Sequence, residues 1–182
     1  MEITQYGNPI LRAKGARIET ITDEIRTLAD AMVETMNEAN GVGLAAQQVG
    51  KALQLAVVDV AGGEDRPSTL KVDGEEVDLE EWCPIIFLNP ELDLSGEKET
   101  GPEGCLSFPG ITADITRYAV ARGRAQLIDG REISFEATGL LARAFQHEVD
   151  HLNGILFIDR MNSAAKATLA SKLRRMQKNA RR

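Results

Sequence analysis

Histidine and cysteine are scarce in this chain, with two of each in 182 residues. Two cysteines, Cys83 and Cys105, cannot build the multi-bridged framework on which small secreted domains depend, so an ordinary core must hold the fold. No apolar run approaches the ~20 residues that a membrane-spanning helix needs. The opening Met1-Glu2-Ile3-Thr4 lacks the basic and apolar regions of a secretion signal. A cytoplasmic protein without membrane contact is expected. A net charge of −7 argues against a coat for nucleic acid, and no DNA partner is expected. Acids are missing altogether from Ser163 to Arg182, where Lys166, Lys172, Arg174, Arg175, Lys178, Arg181 and Arg182 leave 14 of the 21 basic residues facing all 28 acids in the rest of the chain. That tail alone is suited to phosphate.

What is present fits one domain with a sizeable core, since the apolar content is 43% and the charged content 27%. Residues 1–20 carry Ile3, Ile10, Leu11 and Ile18 without any period, which predicts an irregular arm. Thr22-Asp23-Glu24 then opens a helix as cap and acidic first turn. Ile25, Leu28, Met32, Met36 and Ala39 give it one apolar stripe, and Gly41 is expected to end it. Gly41 to Gly50 holds three glycines and two alanines around Gln47 and Gln48, a segment whose backbone must come close to something, or else a tight helix-to-strand connection. Leu53 to Val60 reads as a buried strand.

From Ala61 to Cys83 eight acids meet two bases, which predicts a solvated insertion with a hairpin at Asp73-Gly74. Cys83 reads as a small buried hydrophobe ahead of a strand from Ile85 to Leu88. Arg117 to Ile128 and Glu132 to Ala137 read as strands joined at Asp129-Gly130. Thr138 is the expected cap of a helix buried through Leu140, Leu141, Ala144, Phe145, Val149 and Leu152, with Gly154 as its stop. A basic, weakly amphipathic helix follows from Ser163.

The two histidines belong to Gln146-His147-Glu148-Val149-Asp150-His151. On a helix, positions i and i+4 share a face about 6 Å apart along the axis, so both imidazoles can hold one metal ion. Glu148, rotated by roughly 100°, points beside the ion, where it can take a proton from an attacking water. A chance match and satisfied structural histidines are the competing interpretation. No histidine or glutamate follows His151, and Asp159 is the only acid left, so a third ligand has to come from elsewhere. Cys105, between the glycine-bearing turns of Gly101 to Gly110, is the leading candidate, although alone it could equally be a buried loop thiol.

Gly41 to Gln48, Glu103 to Ser107 and Gln146 to His151 together resemble, in order and spacing, the three motifs of the peptide deformylases. The resemblance spans essentially the whole chain apart from the acidic insertion. It implies an α+β fold, a single compact domain with antiparallel strands packed around a central motif helix and a C-terminal helix. Residues 1–162 would be the catalytic domain, 61–83 its insertion and 163–182 a basic helix. It further implies a hydrolase that removes the formyl group from the initiator methionine of new polypeptides. Cys105, His147 and His151 would bind one divalent ion, iron(II) with nickel, cobalt or zinc as substitutes. Glu148 would act as base and then acid, while the Gln48 side chain and the Leu106 N–H would stabilise the oxyanion. Val42, Gly43 and Gly104 would pair with the peptide, and Val42, Leu140 and Ala144 would line the pocket for the methionine side chain. Arg143 stands where the family pattern suggests an apolar residue, and Thr112 where many members carry an arginine. Two rivals are an HExxH zinc peptidase, which usually takes its third ligand downstream, and a structural metal site, which wants four protein ligands. The basic tail suggests a contact with the ribosome, where formylated chains emerge.

Overall fold

A computed structural model describes residues 1–63 and 65–180; Glu64 of the acidic stretch and Arg181 and Arg182 of the basic tail lie outside the described residues. The N-terminal arm has one 3-10 turn, Pro9–Arg12, and sinks Leu11 and Ile18 into the core. Helix α1, Asp23–Glu38, starts as its sequence dictates, with the Thr22 hydroxyl accepting from the Ile25 N–H. Its end differs from expectation. Asn40 rather than Gly41 takes the left-handed conformation (φ 54°), which asparagine tolerates better than most residues, and Gly41 donates to Met36 O at 2.9 Å.

Nine strands follow among the described residues: β1 (Gly43–Ala45), β2 (Leu55–Val58), β3 (Leu70–Val72), β4 (Glu75–Val77), β5 (Ile85–Asp93), β6 (Lys98–Gly104), β7 (Thr112–Tyr118), β8 (Val120–Leu127) and β9 (Glu132–Thr138). A one-turn helix α2, Leu79–Trp82, precedes β5, helix α3 spans Gly139–Leu152 and helix α4 spans Ser163–Asn179. The main sheet is antiparallel in the order β1-β2-β5-β8-β9-β3-β4, while β6 and β7 form a separate two-stranded sheet. Strand β2 lacks a polar face because both of its faces are covered. Leu55 and Val57 join the cluster under α1, and Ala56 and Val58 join the cluster under α3. Complete burial of a residue such as Leu55 or Val57 stabilises the fold by roughly 1.5–3 kcal/mol. Phe145 of α3 stacks on Phe135 and meets Phe87 edge-on, with centroids at 4.6 and 5.1 Å.

Several expected elements are corrected. The strand expected from Ile85 to Leu88 runs on to Asp93 past an irregularity after Leu88. There Asn89 takes φ 50° and its amide exchanges two hydrogen bonds with the backbone of Ile18. The strand expected from Arg117 to Ile128 is two strands, because the chain changes sheets at Ala119. The Gln146 amide accepts from Tyr118 N–H at 3.0 Å and donates to Tyr118 O at 2.9 Å, taking the place of a strand neighbour at that break. The acidic insertion is also more than a solvated loop. Its hairpin turns at Asp73-Gly74, and β3 extends the main sheet beside β9 with Leu70 and Val72 buried.

Thr138 sits at the cap position of α3 but does not cap it. Its hydroxyl bonds to Thr69 at 2.6 Å, and Ser68 of the insertion accepts from the Leu141 N–H at 3.0 Å instead. The two segments touch closely at this point. Gly139 (φ +62°) has no room for a side chain, as a Cβ there would lie 1.9 Å from Pro67 O. Residues Leu141 to Leu152 of α3 are all buried. Helix α4 packs Ala165, Leu169, Leu173 and Met176 against Leu11, Phe108 and Phe157, leaving Lys166, Arg174, Arg175 and Lys178 exposed. Among the described residues no helix is long and apolar enough to cross a membrane.

Candidate metal centre and active site

Helix α3 delivers His147 and His151 to one face, their ring centroids 5.0 Å apart. Strand β6 ends at Gly104 and leads directly into Cys105, whose Sγ lies 3.3 Å from His151 Nε2. One donor atom from each of Cys105, His147 and His151 falls within 4.8 Å of the others, a three-ligand set that could hold a metal ion. The donors suit that use chemically. His147 Nδ1 is turned to Glu103 Oε1 at 2.8 Å, which fixes the ring and leaves the other nitrogen toward the cysteine. Burial opposes charge on His147, but Cys105 and Glu103 outweigh it and raise its pKa to about 10, so this point in the molecule attracts positive charge. Burial together with His147 holds His151 well below the usual histidine range, so it is neutral and its lone pair is available.

Glu103 ties the site to a buried ionic network. Arg117, with a side chain 3% exposed, donates through Nε and Nη2 to the two Glu103 oxygens at 3.0 and 2.8 Å and through Nη1 to Asp150 at 2.6 Å. Arg160 closes on Asp150 with a second bidentate pair at 2.6 and 2.7 Å. Burial works against ionisation of Glu103, but His147 and Arg117 more than offset it and hold its carboxyl well below the usual range. The motif reading omitted Glu103, Arg117, Asp150 and Arg160. A ligand histidine in a dry site needs an acceptor for its second nitrogen, and the acid two residues before Cys105 was the available signal.

Glu148 lies beside the three donors, its Oε2 buried and without a partner among the described residues. Burial raises its pKa to about 7, against the smaller pull of His147 and Arg117, which poises it to exchange protons near neutrality. Gln48 accepts from Ala45 N–H through Oε1 at 2.9 Å, and this fixes its amide nitrogen toward Ser107 Oγ (3.1 Å) and Cys105 Sγ (3.5 Å).

These groups open into a cavity of about 410 Å³ between α3, the start of β1 at Gly43 and the end of β6 at Gly104. Val42, Gly43, Gln48, Gly104, Cys105, Leu106, Leu140, Ala144, His147 and Glu148 all lie on its wall, and His151, which is buried and does not line it, joins them through Cys105 and His147. Strand β1 ends the main sheet, so among the described residues no second strand pairs with its outer edge. Val42, 43% exposed, stands at the rim. Arg143 also lines the cavity, but its guanidinium is drawn away to Glu103 and the carbonyls of the β6–β7 hairpin. Thr112 is exposed and pairs with Gly104. A larger hollow of about 630 Å³ is lined by Lys71 and Arg122, both paired with Glu136, and it holds none of these groups.

Comparison with known proteins gives one family. The sequence model of the family "Polypeptide deformylase" matches residues 1–167. A peptide deformylase of Methylacidiphilum infernorum is 42% identical over 178 residues, 98% of this chain and 93% of that one. The crystal structure of Arabidopsis thaliana peptide deformylase 1B in complex with an inhibitor superposes with a TM-score of 0.83 at 38% identity, covering 98% of this chain and 91% of that one. The crystal structure of the peptide deformylase from Thermus thermophilus gives a TM-score of 0.81 at 35% identity, covering 98% of both chains.

Proposed function

This chain belongs to the polypeptide deformylase family, metal-dependent hydrolases that remove the N-formyl group from newly made polypeptides, and we propose how its own residues divide that work. The observation that carries the reading is the Cys105–His147–His151 donor set within 4.8 Å, with Glu148 beside it on a cavity wall, its Oε2 without a partner among the described residues. These three residues would hold one divalent cation, which when bound polarises the formyl carbonyl and acidifies the attacking water. A thiolate lowers the net charge of such a site and suits soft or borderline ions, in keeping with the iron(II) that the family resemblance implies, or nickel, cobalt or zinc in its place.

Glu148 takes the proton from the attacking water and returns it to the departing amine. The negative charge that develops on the formyl oxygen is met by the Gln48 amide and by the Leu106 N–H, which has no acceptor among the described residues. Loss of one such donor typically costs about 10²-fold in rate. The peptide lies extended along the outer edge of β1, with Val42 and Gly43 on one side and Gly104 on the other, in the manner of an added strand. Its methionine side chain enters between Val42, Leu140 and Ala144.

Residues 1–162 form the catalytic unit on this reading, with 61–83 as an insertion and the α4 segment as a basic appendage. The exposed cations of α4 would meet ribosomal RNA as formylated chains emerge, in the cytoplasm. The deciding experiment is hydrolysis of formyl-Met-Ala-Ser by protein prepared without oxygen and loaded with iron or nickel, beside its Glu148→Ala variant. Activity confined to the parent supports the assignment. Equal activity in both removes Glu148 from the mechanism, and metal retained by Cys105→Ser removes Cys105 from the ligand set.

A further inference from the structure

Leu140, Arg143, Ala144, His147 and Glu148 are the residues of α3 on the cavity wall, and only Arg143 has no task in the reaction described above. Its side chain is 10% exposed. Nη2 donates to Ile115 O at 2.6 Å, to Glu103 Oε2 at 2.9 Å and to Gly101 O at 3.2 Å, while Nη1 reaches Glu99 O at 3.3 Å. Three of these four acceptors are backbone carbonyls of β6 and β7. One side chain of the motif helix therefore grips the middle of the hairpin, under the rung where Gly101 pairs with Ile115.

This grip is costly to maintain. The guanidinium is buried and its Nε has no partner among the described residues, an arrangement that apolar packing of similar volume often matches or betters in stability. Nor does Glu103 depend on it, because Arg117 already engages both Glu103 oxygens. The arrangement makes sense if it holds something in place. The β6–β7 pair stands apart from the main sheet, so side-chain ties set its distance from α3. The other ties act elsewhere, at Glu103 through His147, at Arg117 through Asp150 and at Tyr118 through Gln146. The cavity lies between the surfaces that Arg143 joins, with Pro102, Glu103 and Gly104 facing Leu140 and Ala144.

We propose that Arg143 is a positioning residue: by fixing β6 against α3 it sets the width of the cavity that takes the substrate's methionine side chain, and the seat of Cys105 opposite the two histidines. The inference rests on the deformylase reading of the site. A test compares the parent, Arg143→Met and Arg143→Lys, each loaded with cobalt(II). The readouts are far-UV circular dichroism, the visible thiolate-to-cobalt absorption, and kcat and KM for formyl peptides that begin with methionine, norleucine or phenylalanine.

Arg143→Met should keep the parent's fold, raise KM for the methionine peptide by roughly tenfold or more, narrow the preference among the three side chains and shift the cobalt band. Arg143→Lys keeps the charge beside Glu103 but cannot span both strands, so it should fall between. A folded Arg143→Met with parental KM, side-chain preference and spectrum overturns the proposal, as does lowered stability with those three unchanged. If Arg143→Met does not fold, Arg143→Lys decides by the same readouts. An inactive parent would refute the functional reading instead, and the cobalt spectra would still report whether Arg143 seats Cys105.

Discussion

A Cβ placed on Gly43 would stand 2.3 Å from Oε1 of Glu148, so strand β1 and the proposed base share a contact that only glycine permits. The atom in the way is the end of a side chain rather than backbone, so the fold can absorb a methyl group there by moving the carboxylate. Gly43→Ala should therefore unfold at nearly the parental temperature while losing activity, by about 10²-fold if the carboxylate shifts by about an ångström. Paired melting curves and formyl-peptide kinetics check this, and an active Gly43→Ala would mean that Glu148 need not stay where it is.

Glu103 fixes the ring of His147, a proposed metal ligand, and pairs with Arg117. Glu103→Gln keeps the shape but gives up the anion, and metal affinity should fall about 10- to 100-fold. Competition with a chelator measures it. Arg117 keeps Asp150 and Arg143 keeps its carbonyls, so the secondary structure should survive.

Ser68, far from α3 in sequence, satisfies the Leu141 N–H. Loss of such a cap costs about 1 kcal/mol, which for a chain of this size lowers the melting temperature by about 2–4 °C. Ser68→Ala should show this drop in calorimetry with little change in turnover.

Arg12 and Asp159 clip the N-terminal arm to the turn after α3, with Asp159 also accepting from Leu156 N–H at 3.0 Å. Partial burial pushes the Asp159 pKa up, but Arg12 and the Leu156 N–H outweigh it and the net shift is downward. A folded-state pKa below the unfolded value of about 3.9 means stability that is present above that pH and lost as pH falls through the folded value. Urea midpoints should therefore fall less between pH 6 and pH 3 in Asp159→Asn than in the parent.

The outward cations of α4 can be removed without disturbing its packed face. Glutamine at Arg174, Arg175 and Lys178 should weaken co-sedimentation with ribosomes, most visibly at low salt, and leave peptide hydrolysis unchanged. Unaltered co-sedimentation would dissociate the helix from that role.

The parts of the molecule legible in the sequence are those whose cause is local. The i, i+4 histidines, the Thr22 cap and the Asp129-Gly130 turn each involve a few adjacent residues, and their geometry follows from residue type. The hairpin β6–β7 stayed hidden because Lys98-Glu99-Thr100-Gly101-Pro102-Glu103-Gly104 has no apolar alternation. It is held by bonds among Glu103, Arg117, Tyr118, Arg143, Gln146 and His147, whose partners are 14 to 44 positions apart. Similarly, nothing in the run from Arg117 to Ile128 marks the change of sheet at Ala119, because the partner that makes it possible, Gln146, lies in another element. Arg143 is legible in the sequence only as a charge where an apolar residue is expected, because the direction of its head depends on carbonyls of β6 and β7 that the sequence does not display.

From Leu141 to Leu152 every residue of α3 is buried, with the sheet on one side and the ionic network on the other. No part of the helix can loosen by itself without exposing the packed interior, so the proposed ligands have no cheap route to fraying. Loss of catalysis on heating and collapse of the whole molecule should then be a single event, and surviving turnover after a heat step would count intact molecules.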